Sequence, residues 1–181
     1  MTQKTGWKRK KRKAAYASRY VTVYEDEVLL PNGTVIADYT VLDRPSVVVV
    51  VTMNDKEQII FLHEYKYAAG RFMWGLVAGH MEVGELPVDA AKRELEEETG
   101  FVAESYEVIG TLKEYATKDL HDVYVVKATG LHQTGKKNME DTELIDSLEF
   151  FSKDQIVAEM NSGNIPAATV IAALVLVGFF H

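Results

Sequence analysis

Apolar positions come in two spacings along this chain. Through most of the first 65 residues they form short β-type runs. Tyr20–Tyr24 and Val28–Leu30 lead into Pro31-Asn32-Gly33, a turn signal, and Val35–Val41 follows. Val47–Val51 is an unbroken run of five valines, which predicts a strand buried on both faces. Asn54-Asp55-Lys56 predicts a turn, and Gln58–Tyr65, Tyr106–Lys113 and Val123–Lys127 predict further strands. Helical spacing takes over at Pro87–Glu98, Lys153–Asn161 and the apolar stretch Ala167–Phe180. Pro87 suits a first helical turn and Gly100 a left-handed position past the end. Ser152 with Gln155 forms a capping box, closed by Gly163. Strands first, one helix in the middle and helices at the end predict an α+β domain layered as αβα.

Charge adds a boundary. The chain has 181 residues and a formal net charge of −7. Yet the first 20 residues hold eight of its 20 Lys and Arg, and neither Asp nor Glu. The expectation is a basic, solvated and partly mobile arm over 1–18, followed by one domain over 19–181 whose residues 19–45 form a β subregion. A nucleic-acid arm and an address signal are the other readings of Lys8–Lys13. The acidic remainder makes a nucleic-acid partner the weaker expectation. No apolar stretch follows the basic run as in a secretory leader, and Ala167–Phe180 is shorter than the ~20 residues that span a bilayer. A cytoplasmic protein with no membrane partner is expected. Cysteine is absent, so thiolate zinc sites and cysteine nucleophiles are excluded, and a metal would sit on oxygen or imidazole.

Chemistry concentrates in Gly79–Phe101. On a helical wheel of about 100° per residue, Val88, Ala91 and Leu95 form the core stripe. Asp89, Lys92 and Glu96 face solvent, and Glu94, Glu97 and Glu98 share a third face. Like charges one turn apart destabilise a helix, and the macrodipole disfavours acid near its C-terminus. A helix that carries both penalties calls for a neutralising cation. A merely solvated acidic face is the alternative. Arg93 stands four residues before Glu97, and Gly79 and Gly84 allow a tight loop ahead of Glu85.

The stretch resembles the Nudix box, G-x5-E-x7-R-E-U-x-E-E-x-G-U. Gly79, Glu85, Arg93, Glu94, Leu95, Glu97, Glu98, Gly100 and Phe101 fill its nine defined positions. Leu30–Gly33, Phe61–Tyr67, Glu140–Glu143 and Gly163–Ile165 extend the likeness to the ADP-ribose and nucleoside-diphosphate-sugar branch. The resemblance implies a mixed sheet between helices and Mg²⁺-dependent hydrolysis, with Mn²⁺ as a substitute, of a nucleotide-sugar diphosphate. It implies metal binding by the Ala78 carbonyl, Glu94 and Glu98, with Glu97 assisting. Glu85 is expected to pair with Arg93 or to help a metal. Glu143, then Glu140, is the expected general base on a late loop. Lys66, Arg71 and Tyr20 are candidate substrate contacts. Trp74-Gly75-Leu76-Val77 lacks the glutamate and proline that relatives carry there, which leaves the sugar open. Triphosphate or RNA 5′-end hydrolysis and a non-catalytic ADP-ribose sensor are the alternatives. A homodimer is expected from the resemblance and from the frequency of two-fold oligomers.

Overall fold

A computed structural model describes residues 6–135 and 144–180. The chain divides into two compact units, one made of residues up to Pro45 together with Lys113–His121, the other of Ser46–Leu112 and the residues from Asp122 onward.

The first unit is built on an antiparallel sheet in which β2 (Thr22–Leu29) lies between β1 (Lys8–Ala17) and β3 (Val35–Asp43). The basic segment expected as a mobile arm is strand β1, exposed along nearly its whole length. The register explains the discrepancy. Lys11, Arg12 and Lys13 stand opposite Glu27, Asp26 and Glu25, so opposite charges meet across the strands. Arg12 grips Asp26 through two 2.7 Å hydrogen bonds. The two runs expected around residues 20–30 merge into one strand, and Tyr20 lies just before it. The Pro31–Gly33 turn is present, with Gly33 at φ 87° and the Asn32 side chain accepting from the Thr34 N–H. Segment 113–121 joins this unit by an isolated parallel bridge from Asp119 to Leu42.

The second unit holds two sheets and three helices. A mixed sheet runs β7 (Val77–His80), β4 (Val47–Met53), β9 (Val123–Gln133), β8 (Phe101–Leu112), with β4 and β9 parallel. An antiparallel sheet runs β10 (Ile145–Phe151), β5 (Ile59–Lys66), β6 (Arg71–Gly75). The helices are α1 (Pro87–Thr99), α2 (Lys153–Ser162) and α3 (Ala168–Leu176). The valine run does what its composition requires. Val48 and Val50 pack with Ala90, Ala91 and Leu95 of α1, and Val49 and Val51 pack with Ile156 of α2 and Val170, Ala173 and Leu174 of α3. Period-two alternation thus serves two cores, and the αβα layering follows. Each fully buried Leu or Val contributes about 1.5–3 kcal/mol relative to leaving it exposed.

Strands β6, β7 and β10 lie outside the predicted elements, and β8 and β9 run longer than expected. The C-terminal helix is shorter than Ala167–Phe180, ending at Leu176. Among the described residues, no helix is long and apolar enough to cross a membrane.

Candidate metal and diphosphate site

Helix α1 starts and stops where its sequence says it should. Pro87 occupies the first turn, and Gly100 closes the helix at φ 73°, its N–H bonded to the Glu96 carbonyl. Between these ends one face of α1 lies on β7, β4 and β8. That packing carries Glu94 and Glu98 inward with Leu95: they are 6 % and 3 % exposed, and Glu97 is half-buried. Two buried carboxylates one turn apart lose hydration and repel each other, a state that needs positive charge nearby.

Arg93 supplies part of it. Its Nε and Nη2 each donate to the Glu85 carboxylate at 3.0 Å. Its Nη1 donates to Glu94 at 2.7 Å and to Glu97 at 3.3 Å, and Nη2 also reaches the His80 carbonyl at 3.1 Å. A planar fork with five N–H groups can hold this many acceptors; an ammonium cannot. The bond from Arg93 is the main cause that holds the Glu85 carboxyl below its ordinary range, with the Glu82 backbone N–H also helping. That N–H donates to Glu85 at 2.8 Å, so Glu85 ties the loop before α1 to the helix.

Gly79 does a different job from the tight loop turn read in the sequence. A Cβ placed on it would overlap the Glu94 carboxylate. The glycine therefore leaves room for a charged group to lie directly on the β7 backbone, beside Ala78. The donor atoms expected at Ala78, Glu94, Glu97 and Glu98 are all oxygen, the type that a hard divalent cation takes.

The other predicted residues are distributed as follows. Lys66, at the end of β5, pairs with Glu64. Arg71 opens β6 opposite Lys66 and donates to the Gly163 carbonyl at 2.9 Å. Tyr20 belongs to the first unit, exposed, with the Arg19 guanidinium 5.1 Å over its ring. Glu140 and Glu143 lie outside the described residues. Glu64 and the His80 carbonyl were not anticipated. Neither was the His63–Asp146 pair, at 2.7 Å with the imidazole stacked beside Phe72 and Trp74. No periodicity marks such partners, because register across strands brings them together. A second acidic group, Glu114, Asp119 and His121, is compact enough for one ion. There Arg44 already donates to both carboxylates, at 2.6 Å to Asp119 and 2.9 Å to Glu114.

Comparison with known proteins agrees with this geometry. Residues 42–174 match the model of the NUDIX domain, and residues 7–42 match the nucleoside diphosphate sugar hydrolase N-terminal domain. The chain belongs to the Nudix hydrolase family. It is 29% identical over 153 residues to an ADP-ribose pyrophosphatase of Mycobacterium tuberculosis, covering 84% of this chain and 73% of that protein. It is 26% identical over 144 residues to an ADP-ribose pyrophosphatase of Bacillus subtilis, covering 78% and 76%. The crystal structure of an ADP compounds hydrolase superposes with a TM-score of 0.85 at 22% identity, covering 99% of this chain and 96% of that one. This last likeness establishes the α+β Nudix fold.

Proposed function

We propose that this Nudix hydrolase cleaves the diphosphate of ADP-ribose or of nucleoside-diphosphate sugars in the presence of Mg²⁺, giving a nucleoside monophosphate and a sugar phosphate. The observation that carries the reading is the Arg93-centred cluster, in which one helix carries Glu94, Glu97 and Glu98 and Gly79 makes room for the Glu94 carboxylate. The N-terminal match to nucleoside diphosphate sugar hydrolases and the two ADP-ribose pyrophosphatase relatives support the substrate class.

The Ala78 carbonyl, Glu94 and Glu98, assisted by Glu97, would hold Mg²⁺ or Mn²⁺. When bound, the ion neutralises diphosphate charge and makes a bound water more acidic. The protein's own work is to keep these oxygens in place. Arg93 and Glu85 fix the loop and the helix as one piece, and burial keeps the carboxylates from swinging into water. Glu143, or Glu140 in its place, accepts the proton of the attacking water. Water adds across the P–O–P bridge, one P–O bond breaks, and the bridging oxygen leaves with one phosphate. Lys66 and Arg71 contact phosphate and Tyr20 the nucleoside, within a cytoplasmic homodimer.

The test is a product assay with Mg²⁺ on ADP-ribose, several nucleoside-diphosphate sugars, nucleoside triphosphates and 5′-triphosphorylated RNA, with Glu98→Gln as control. Nucleoside monophosphate plus sugar phosphate, lost in the control, is the expected result. Turnover of triphosphates or RNA alone would move the chain to another Nudix branch, and tight binding without turnover would make it a sensor.

A further inference from the structure

Strand β10 does not run in even step with β5. Ser147 lies opposite His63, yet Ile145 lies opposite Glu64, so Asp146 is an extra residue, a β-bulge. The bulge decides a face. Residues paired directly across strands share a face, and faces alternate along each strand. Ile60 and Leu62 of β5 pack in the core that α1 covers, Ile59 and Phe61 in the core that α2 and α3 cover. Glu64 continues the first row and His63 the second. Without the extra residue, Ile145 would stand opposite Tyr65, on the side of α2 and α3. With it, Ile145 packs against the α1 core.

The bulged residue is tied down. Asp146 Oδ1 accepts from His63 Nδ1 at 2.7 Å and from Ser147 Oγ at 3.0 Å. The His63 ring is itself fixed, stacked on Phe72 with centroids 5.2 Å apart and tilted against Trp74 at 4.6 Å. Those two rings stand on β6, so all three strands of the sheet contribute to holding one carboxylate. Just ahead of the bulge, the Tyr65 N–H donates to the Leu144 carbonyl at 2.9 Å. Leu144 follows Glu143 in the chain. The fold has little need of this pair. Its side chains are 29% and 48% exposed, and exposed ion pairs contribute little to stability. What it fixes is a position.

We propose that His63 is a positioning residue for the hydrolysis. Through Asp146 it holds the β10 bulge, and so sets the face and register at which the chain carrying Glu140 and Glu143 enters the sheet. The inference rests on the reading that one of these two carboxylates takes the proton of the attacking water. In this role His63 touches no substrate and moves no proton.

Four variants of the full chain separate the hydrogen bond from the packing. His63→Phe keeps a ring against Phe72 and Trp74 and loses the bond; Asp146→Ala loses it from the other side. Asp146→Asn keeps an acceptor oxygen, and His63→Asn puts an amide nitrogen near the place of Nδ1. On the substrate found in the product assay, His63→Phe and Asp146→Ala should each lower kcat roughly 10–100-fold. KM, the Mg²⁺ dependence and the melting temperature should stay nearly unchanged, and the two amide variants should recover most of the loss. Hydrogen exchange at the Tyr65 amide should quicken in Asp146→Ala and not in Asp146→Asn. Combined with whichever of Glu143→Gln and Glu140→Gln lowers kcat more, Asp146→Ala should add almost nothing, because it acts through that carboxylate. Losses that multiply in the double variant, a change confined to KM, or unaltered Tyr65 exchange would overturn the inference. If neither glutamine variant lowers kcat, the reading of a late-loop base falls and takes this inference with it. If one does and Asp146→Ala does not, the inference alone falls.

Discussion

Arg93 and Arg44 each gather carboxylates, yet the two clusters end differently. Arg93 is met by three glutamates, two of them on its own helix one and four residues away and the third on the preceding loop. Glu98, one turn beyond Glu94, adds a fourth carboxylate to the helix, and Gly79 opens the backbone next to Glu94. Arg44 is met by Glu114 and Asp119, and the His121 imidazole lies beside both acids. The first cluster places Glu94, Glu97 and Glu98 on the helix that the proposed function assigns to metal binding. In the second, Arg44 donates to both acids. Among the described residues, the second group alone brings three ligand atoms within reach of one ion, but Arg44 already donates to both of its carboxylates. An arginine that leaves room beside its carboxylates marks a binding site, and one that fills the room marks a brace.

The largest effect that separates them concerns Glu98. Glu98→Gln should lower kcat at least about a hundredfold, or ~2.7 kcal/mol of barrier. Without metal the same change should leave the melting temperature equal or slightly higher, since it removes like charge from Glu94 and acid from a helix C-terminus. The Mg²⁺-induced rise in melting temperature should fall away with it. A variant that lost activity and stability together would place Glu98 among braces.

Gly79→Ala comes next. The methyl would displace the Glu94 carboxylate from the β7 backbone, and displacing or disorienting such groups costs on the order of 10–100-fold in activity or metal affinity. Backbone strain is no part of the expectation, because Gly79 does not have a positive φ. Titrating Mg²⁺ against rate would show the loss as weaker metal affinity, and an unchanged metal dependence would count against the cradle.

For the Arg44 brace the expectation inverts: stability falls and chemistry stays. Burial pushes the Asp119 carboxyl up, but the bonds and charge of Arg44, with His121, outweigh burial and hold it below its ordinary value. A depressed folded-state value stabilises the protein above the ordinary carboxylate range and is lost as pH falls through that lower value. Asp119→Asn should therefore cost roughly 2 kcal/mol at neutral pH, discounted from the fully buried case because Arg44 is about one-third exposed. The difference from wild type should close in acid. Urea midpoints across pH 2–7 measure it, and a gap that widened in acid would reverse the assignment.

How much of this could be read in advance follows the same division. The nine box residues, the helix that carries them and the two-faced valine strand are legible because each signal is local: a fixed spacing, a cap, a period of two. Glu85 pairing with Arg93 was likewise accessible. Strands β6 and β7 escaped because Arg71–Gly75 and Val77–His80 are short and contain glycine, so their alternation is weak. The Arg44 network joins residues 70 and 75 positions apart, and no spacing rule reaches that far. The basic run failed for a subtler reason. Six cations in a row look like a mobile arm until the strand that answers them, Glu25-Asp26-Glu27, is placed opposite.

That hairpin also gives the smallest and sharpest comparison. Lys11 and Arg12 are neighbours on one strand, each opposite an acid, and differ in head group, burial and geometry. Lys11 reaches Glu27 at 3.9 Å with its side chain 81% exposed, whereas Arg12 binds Asp26 at 2.7 Å with the acid side chain 4% exposed. The Arg12 bond is the main cause that holds the Asp26 carboxyl below its ordinary range. Arg12→Met leaves a buried acid without its fork and should cost about 1 kcal/mol or somewhat more at neutral pH. The loss should fade in acid as Asp26 takes up a proton. Lys11→Met removes an exposed, long-range pair and should cost less than about 0.5 kcal/mol, falling toward zero in high salt. Equal losses for the two variants would mean that the strand is held by net charge along its length, and that cross-strand register has no part in choosing which cation matters.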